Sequence, residues 1–227
     1  MTTKPVSASP SSRLASFLRS RAGSAFQIAV FIAGIFVFQG RSLWQPVPLA
    51  VLAALLIWLS GDSRASLGLG QPPIRGARWA VEGVVVGLLC GIVSAGLLTP
   101  LLHSLFQTEA APPAQQGNLS YLIQNAIVFG VVHALAKGLA YRSFLLNRLE
   151  AFFGSTRLGL GLSVVSASIL FGLGNLRQDQ TSLVIATLVG AVFNLVFYWS
   201  KRNVWLSILA HGVYNTTLFA LVFLGRL

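Results

Sequence analysis

His133 and Lys137 stand four residues apart, as do His211 and Asn215, and at that spacing the two members of each pair share one face of a helix. An imidazole can ligate a metal or move a proton, whereas an ammonium is a fixed positive charge that repels a metal. Arg142 follows Lys137 in the run His133-Ala134-Leu135-Ala136-Lys137-Gly138-Leu139-Ala140-Tyr141-Arg142, and Asn175 closes the run Phe171-Gly172-Leu173-Gly174-Asn175. These groups lie in or beside strongly apolar stretches, where an ionisable side chain is costly unless paired or hydrated, so each is a functional candidate. His133 reads either as a metal ligand or as a hydrogen-bonded packing residue. Asn175 reads as an interhelical hydrogen bonder or a cap near Gly172 and Gly174.

The elements that must position these groups are helices in a bilayer. The chain has 227 residues, of which 55% are hydrophobic and 9% charged. Its mean hydropathy is +0.75. A soluble domain carries roughly 25% charged residues, so an ordinary soluble fold and a disordered chain are both excluded. A spanning helix needs about 20 mainly apolar residues. Seven segments qualify: Gly23 to Gly40, Trp44 to Ser60, Trp79 to Leu101, Leu119 to Ala136, Leu158 to Leu176, Thr181 to Ser200 and Asn203 to Phe223. The expected fold is all-α, a polytopic transmembrane bundle of about seven spans over residues 23–227. It follows a serine-rich, basic tail over residues 1–22, expected to be disordered and cytosolic.

The formal net charge of +11 is accounted for by topology. With the N-terminus cytoplasmic, the inner segments collect most of the Lys and Arg, including Lys137, Arg142 and Arg148, while the outer ones hold only Arg41, Arg177 and Arg226. No nucleic-acid partner is needed; the expected surroundings are a lipid bilayer, with the plasma membrane as the expected location. Gly83, Gly87 and Gly91 recur every four residues and let a neighbouring helix approach closely. Cys90, the single cysteine, forbids an intrachain disulfide and reads as a packing residue. Glu82 is placed to pair with Arg78. His103 reads as a surface residue at an outer helix end, and Glu109 to Gly117 as an irregular outer connection.

The three polar runs together resemble the CPBP intramembrane endopeptidases, also called the CAAX-protease or Abi family, whose pattern is E-E-x-x-x-R, then F-x-x-x-H, then H-x-x-x-N. The resemblance covers roughly residues 66–215, including Leu67-Gly68-Leu69. Arg142, Phe171, His211 and Asn215 match. Lys137 and Gly138 stand where the pattern has its two glutamates, and Asn175 where it has a histidine. The resemblance implies intramembrane peptide-bond hydrolysis, with a glutamate activating water and histidines binding a metal or steadying the oxyanion.

Both acids and one histidine being replaced, the chemistry loses base and ligands together. A protonated lysine cannot accept a proton, and a catalytic zinc usually takes three protein ligands where this chain keeps one family histidine, His211, with His133 as a further candidate. The expected function is therefore a binding or scaffold pseudoprotease that holds a membrane peptide or lipid-modified protein, with no cofactor. The alternative is an active, rewired endopeptidase using His211, Asn215 and His133 or an uncharged Lys137, with zinc or another divalent metal.

Two placements stay open in the sequence. If the fourth helix ends near Lys137, the lysine snorkels to the cytosolic interface with Arg142 and Arg148. If the helix continues through Phe144, Leu145 and Leu149 towards Phe153, Lys137 lies near mid-depth. His211 falls about 12 Å into the last span by helical rise. Straight helices drawn to the seven segments would put Asn175 and Lys137 at opposite ends, so either the fourth helix is longer or some span is broken.

Overall fold

A computed structural model describes residues 10–38, 44–70, 76–107, 115–175 and 179–227. Counting each continuous run as one, the described residues form eight helices. They are α1 (Pro10–Arg19), α2 (Arg21–Phe38), α3 (Pro46–Ser60), α4 (Ala77–Phe106), α5 (Leu119–Phe153), α6 (Arg157–Leu173), α7 (Gln180–Trp199) and α8 (Val204–Phe223). Each of the seven apolar segments contains a helix among its described residues. Five of the helices, α2, α4, α5, α7 and α8, are long and apolar enough to cross a membrane, while α3 and α6 are shorter apolar helices.

Local sequence marks the starts. Asn118, Thr156, Asp179 and Asn203 precede α5 to α8, and each side chain accepts a hydrogen bond from a backbone N–H of the first turn. Gly61 ends α3 in the left-handed region, where a glycine has no Cβ penalty. Pro100 lacks an N–H and crowds the carbonyl four residues back; the helix winds wider, in π geometry, over Ser94–Leu98 just before it.

Helix α8 lies along α4, and α7 along α6, with α5 between the two halves. The glycine stripe performs the role its spacing suggested. A Cβ at Gly83 would press on Leu206 and Leu209, one at Gly87 on the Ala210 carbonyl and Val213, and one at Gly91 on Thr217, all of α8. The other side of α4 exposes Val81, Val85, Leu88, Leu89 and Ile92, an apolar face suited to lipid. Phe31, Tyr141, Phe144, Leu145, Phe171 and Phe197 centre the larger core, and Phe193, Val189, Ala210 and Tyr214 a second.

Three expectations are corrected. Residues 10–19 of the expected disordered tail form α1; Leu18 is buried there, and its carbonyl accepts a 2.7 Å hydrogen bond from Gln27 Nε2. The fourth apolar segment does not end at Ala136. Buried Ala140, Tyr141, Phe144, Leu145 and Leu149 carry an inward face onward, so α5 runs 35 residues to Phe153. Lys137 and Arg142, counted with an inner loop, are therefore in a helix. Part of the Glu109 to Gly117 connection lies outside the described residues.

The end of the bundle remote from the cavity described below is tied by ion pairs. Arg148 pairs with Asp62, and Arg202 with Glu150 at 2.5 Å. Arg202 also donates to Asn147, and the Tyr198 hydroxyl to Glu150 at 3.0 Å. Gly68, at φ +74°, lies against the Arg202 carbonyl, where a Cβ would collide; its own carbonyl accepts from Val204 N–H at 3.4 Å. The Leu67-Gly68-Leu69 run thus closes this end against the start of α8. Glu82 pairs with Arg78 at 2.8 Å, as expected.

Candidate functional site

Alpha-helical geometry is interrupted twice around the first polar run: α5 winds as a π-helix over Val128–His133 and again over Gly138–Leu146, with Ala134–Lys137 regular between them. Such wider turns redirect side chains within an otherwise continuous helix and are frequent at functional sites. Here His133 and Lys137 both face one cavity of about 340 Å³. Asn175 at the end of α6 and His211 and Asn215 on α8 line the same cavity. The lengthened α5 thus meets the other motifs, and snorkelling of Lys137 to an interface is ruled out: it is the nineteenth residue of a 35-residue helix and is half-buried against the Phe171 ring.

The six motif positions separate into three groups. Lys137, Asn175, His211 and Asn215 line the cavity. Arg142 stands behind its wall, fully buried, with its guanidinium carbon 4.9 Å from the Phe171 ring centroid and 5.3 Å from that of Phe193. Gly138 points elsewhere, to α8, where a Cβ would fall on the Ile208 side chain. The absence of a side chain at Gly138 is what permits this close approach, so the position has a packing role here.

Partners differ along the wall. Asn215 Nδ2 donates to the Phe129 carbonyl at 2.7 Å, an interhelical bond between α8 and α5. Asn175 Nδ2 donates to the Phe171 carbonyl at 3.1 Å, closing the last turn of α6. The His133 ring lies 4.2 Å from the Phe129 ring. His211 is 3% exposed and packs between Phe171 and Phe193 at 5.7 and 5.1 Å; its Nδ1 has no hydrogen-bond partner among the described residues.

Sequence reasoning missed several lining residues. His103, read as a surface residue, lines the cavity with Thr99, because α4 continues to Phe106. The signal was present: Leu101, Leu102, Leu105 and Phe106 extend the apolar spacing past the proline. Gln45 and Thr181 also contribute and carried no sequence signal.

The donor set does not fit a zinc ion. Among the described residues no group of three or more His, Cys, Asp or Glu side chains is gathered to hold a metal, no carboxylate side chain lines the cavity, and Lys137 brings an ammonium among the imidazoles. What the lining offers is positive charge and hydrogen-bond donors in a largely apolar chamber.

Residues 118–217 match the model of the Type II CAAX prenyl endopeptidase Rce1-like family. The match spans α5 to most of α8 and bears out the resemblance drawn from the three motifs. No curated protein matches the chain. No solved structure matches it either.

Proposed function

We propose that this CPBP-family integral membrane protein binds a membrane peptide or a lipid-modified protein in the cavity without cutting it. One observation carries the reading: the family's first glutamate position is held by Lys137, which faces the cavity beside His211, and no carboxylate side chain lines that cavity. Water activation for peptide hydrolysis needs a group that accepts a proton, and a charged ammonium does not. The scaffold keeps what shapes such a chamber, namely Arg142 against Phe171 and Asn215 across to α5. The uneven distribution of basic residues supports a cytoplasmic N-terminus, and the plasma membrane is the location we assign.

The test is cleavage of a membrane-peptide library read by mass spectrometry, alongside photo-crosslinking of the same peptides. The natural protein, His211→Ala and a form carrying Lys137→Glu, Gly138→Glu and Asn175→His are compared. The last also needs Ile208→Ala, since a side chain at 138 collides with Ile208. Crosslinking without cleavage by the natural protein is the expected result. Cleavage by the natural protein that disappears in His211→Ala would establish a rewired endopeptidase instead.

A further inference from the structure

The distribution of acids across the described residues leaves two cations over, the half-buried Lys137 and the fully buried Arg142. Five Asp and Glu residues are present in all. Asp62 pairs with Arg148, Glu82 with Arg78 and Glu150 with Arg202. Asp179 caps α7, accepting from the backbone N–H and the hydroxyl of Ser182. Glu109 lies outside the described residues. Among the described residues, therefore, no acid pairs with Lys137 or Arg142.

Arg142 is 0% exposed, and its Nε and both terminal nitrogens have no hydrogen-bond partner among the described residues. The rings of Phe171 and Phe193 offset part of the cost of burying that charge, but they accept none of its hydrogen bonds in the ordinary sense. Lys137 lies over the same Phe171 ring at 4.9 Å. The His211 ring packs against the same Phe171 ring at 5.7 Å. Two further polar atoms beside the chamber are unpartnered: His211 Nδ1 and Thr181 Oγ1 are buried atoms of lining residues and have no hydrogen-bond partner among the described residues. An uncompensated buried charge is strongly unfavourable, and unpaired cations with spare donors beside a cavity form an anion receptor.

We infer that the cavity binds an oxyanion, a carboxylate or phosphate group, held directly by Lys137 and His211, with Arg142 as a positioning charge behind Phe171. Ile185, Val189, Leu218 and Val222 give part of the remaining wall an apolar stretch that accommodates a short hydrocarbon portion attached to that group. The volume of about 340 Å³ suits a head group with a few attached carbons. This inference stands whether or not the chain cleaves peptides.

The full chain in phosphatidylcholine nanodiscs is titrated with inorganic phosphate, following its melting temperature. In a second arm, phosphatidate is added to the nanodiscs, and lipid retained by the protein is read by native mass spectrometry. Saturable binding in the first arm identifies a soluble anion, and in the second a lipid head group. Lys137→Met and Asn175→Asp weaken binding about tenfold or more, Lys137→Arg restores it, and Arg78→Gln, at an exposed pair, leaves it unchanged. Should Lys137→Met fail to fold, Asn175→Asp places a repelling charge in the lining without removing a cation. Equal binding by the natural protein and these variants, or no saturable binding of either probe, overturns the inference.

Discussion

The Nζ of Lys137 lies 4.9 Å from the centroid of the Phe171 ring. That ring also receives the Arg142 guanidinium at 4.9 Å, the Tyr141 ring edge-on at 5.0 Å and the His211 imidazole at 5.7 Å. A single aromatic side chain from α6 thus joins the polar residues of α5 to the histidine of α8. Its negative π face lies against two cations that have no acid partner among the described residues.

Replacing that ring should therefore cost more than its volume. Phe171→Leu is expected to destabilise the protein by about 2 to 4 kcal/mol, the sum of a core truncation and lost cation–ring attraction. Phe26→Leu, at a half-exposed ring, should change stability by less than about 0.5 kcal/mol. Melting in nanodiscs measures both. Equal losses at the two sites would mean the Phe171 contacts contribute nothing of their own.

Gly138 and Ile208 should behave as a coupled pair. Gly138→Ala ordinarily gains up to about 1 kcal/mol in a helix interior, yet here the added methyl meets Ile208, so the variant is expected to melt lower. In the Ile208→Ala background the sign should reverse. A double-mutant cycle reads the coupling, expected at about 0.5 to 3 kcal/mol, and additive effects would contradict the close approach.

The glycines of α4 and α6 make opposite forecasts. Gly87→Val must displace the α8 backbone at Ala210 and should abolish stable folding, whereas Gly161→Ala meets nothing within 4 Å and should stabilise by about 0.5 to 1 kcal/mol. Expression followed by thermal melting separates the two. A Gly87→Val protein as stable as the natural one would show that α4 and α8 do not pack through this stripe.

Ion pairs should rank by burial. Glu150 accepts from Arg202 and Tyr198 and its side chain is 13% exposed, so Glu150→Gln is expected to cost about 1 to 3 kcal/mol. Glu82→Gln, whose partner Arg78 is 86% exposed, should fall within about 0.5 kcal/mol of the natural protein. Urea unfolding in mild detergent gives the comparison, with the reverse ranking as the contrary result.

The sequence by itself determined the helical membrane bundle, because runs of about 20 apolar residues have few alternatives. It also determined the glycine contact of α4, since a four-residue repeat defines a face whatever packs on it, and the resemblance to the family whose model matches residues 118–217, through the order and spacing of Phe171, His211, Asn215 and Arg142. The chain's polar residues were harder to place. Local hydropathy reads Lys137, Arg142 and Arg148 as the end of a span, but α5 continues because Phe171 and Phe193, from α6 and α7, cover Arg142 and Phe171 also shields Lys137. The environment of a charge depends on partners brought together by folding, which no window along the chain can average. For the same reason only the tertiary structure distinguished adjacent Lys137 and Gly138, one turned to the cavity and the other to Ile208, and brought His103 from the end of α4 into the cavity wall.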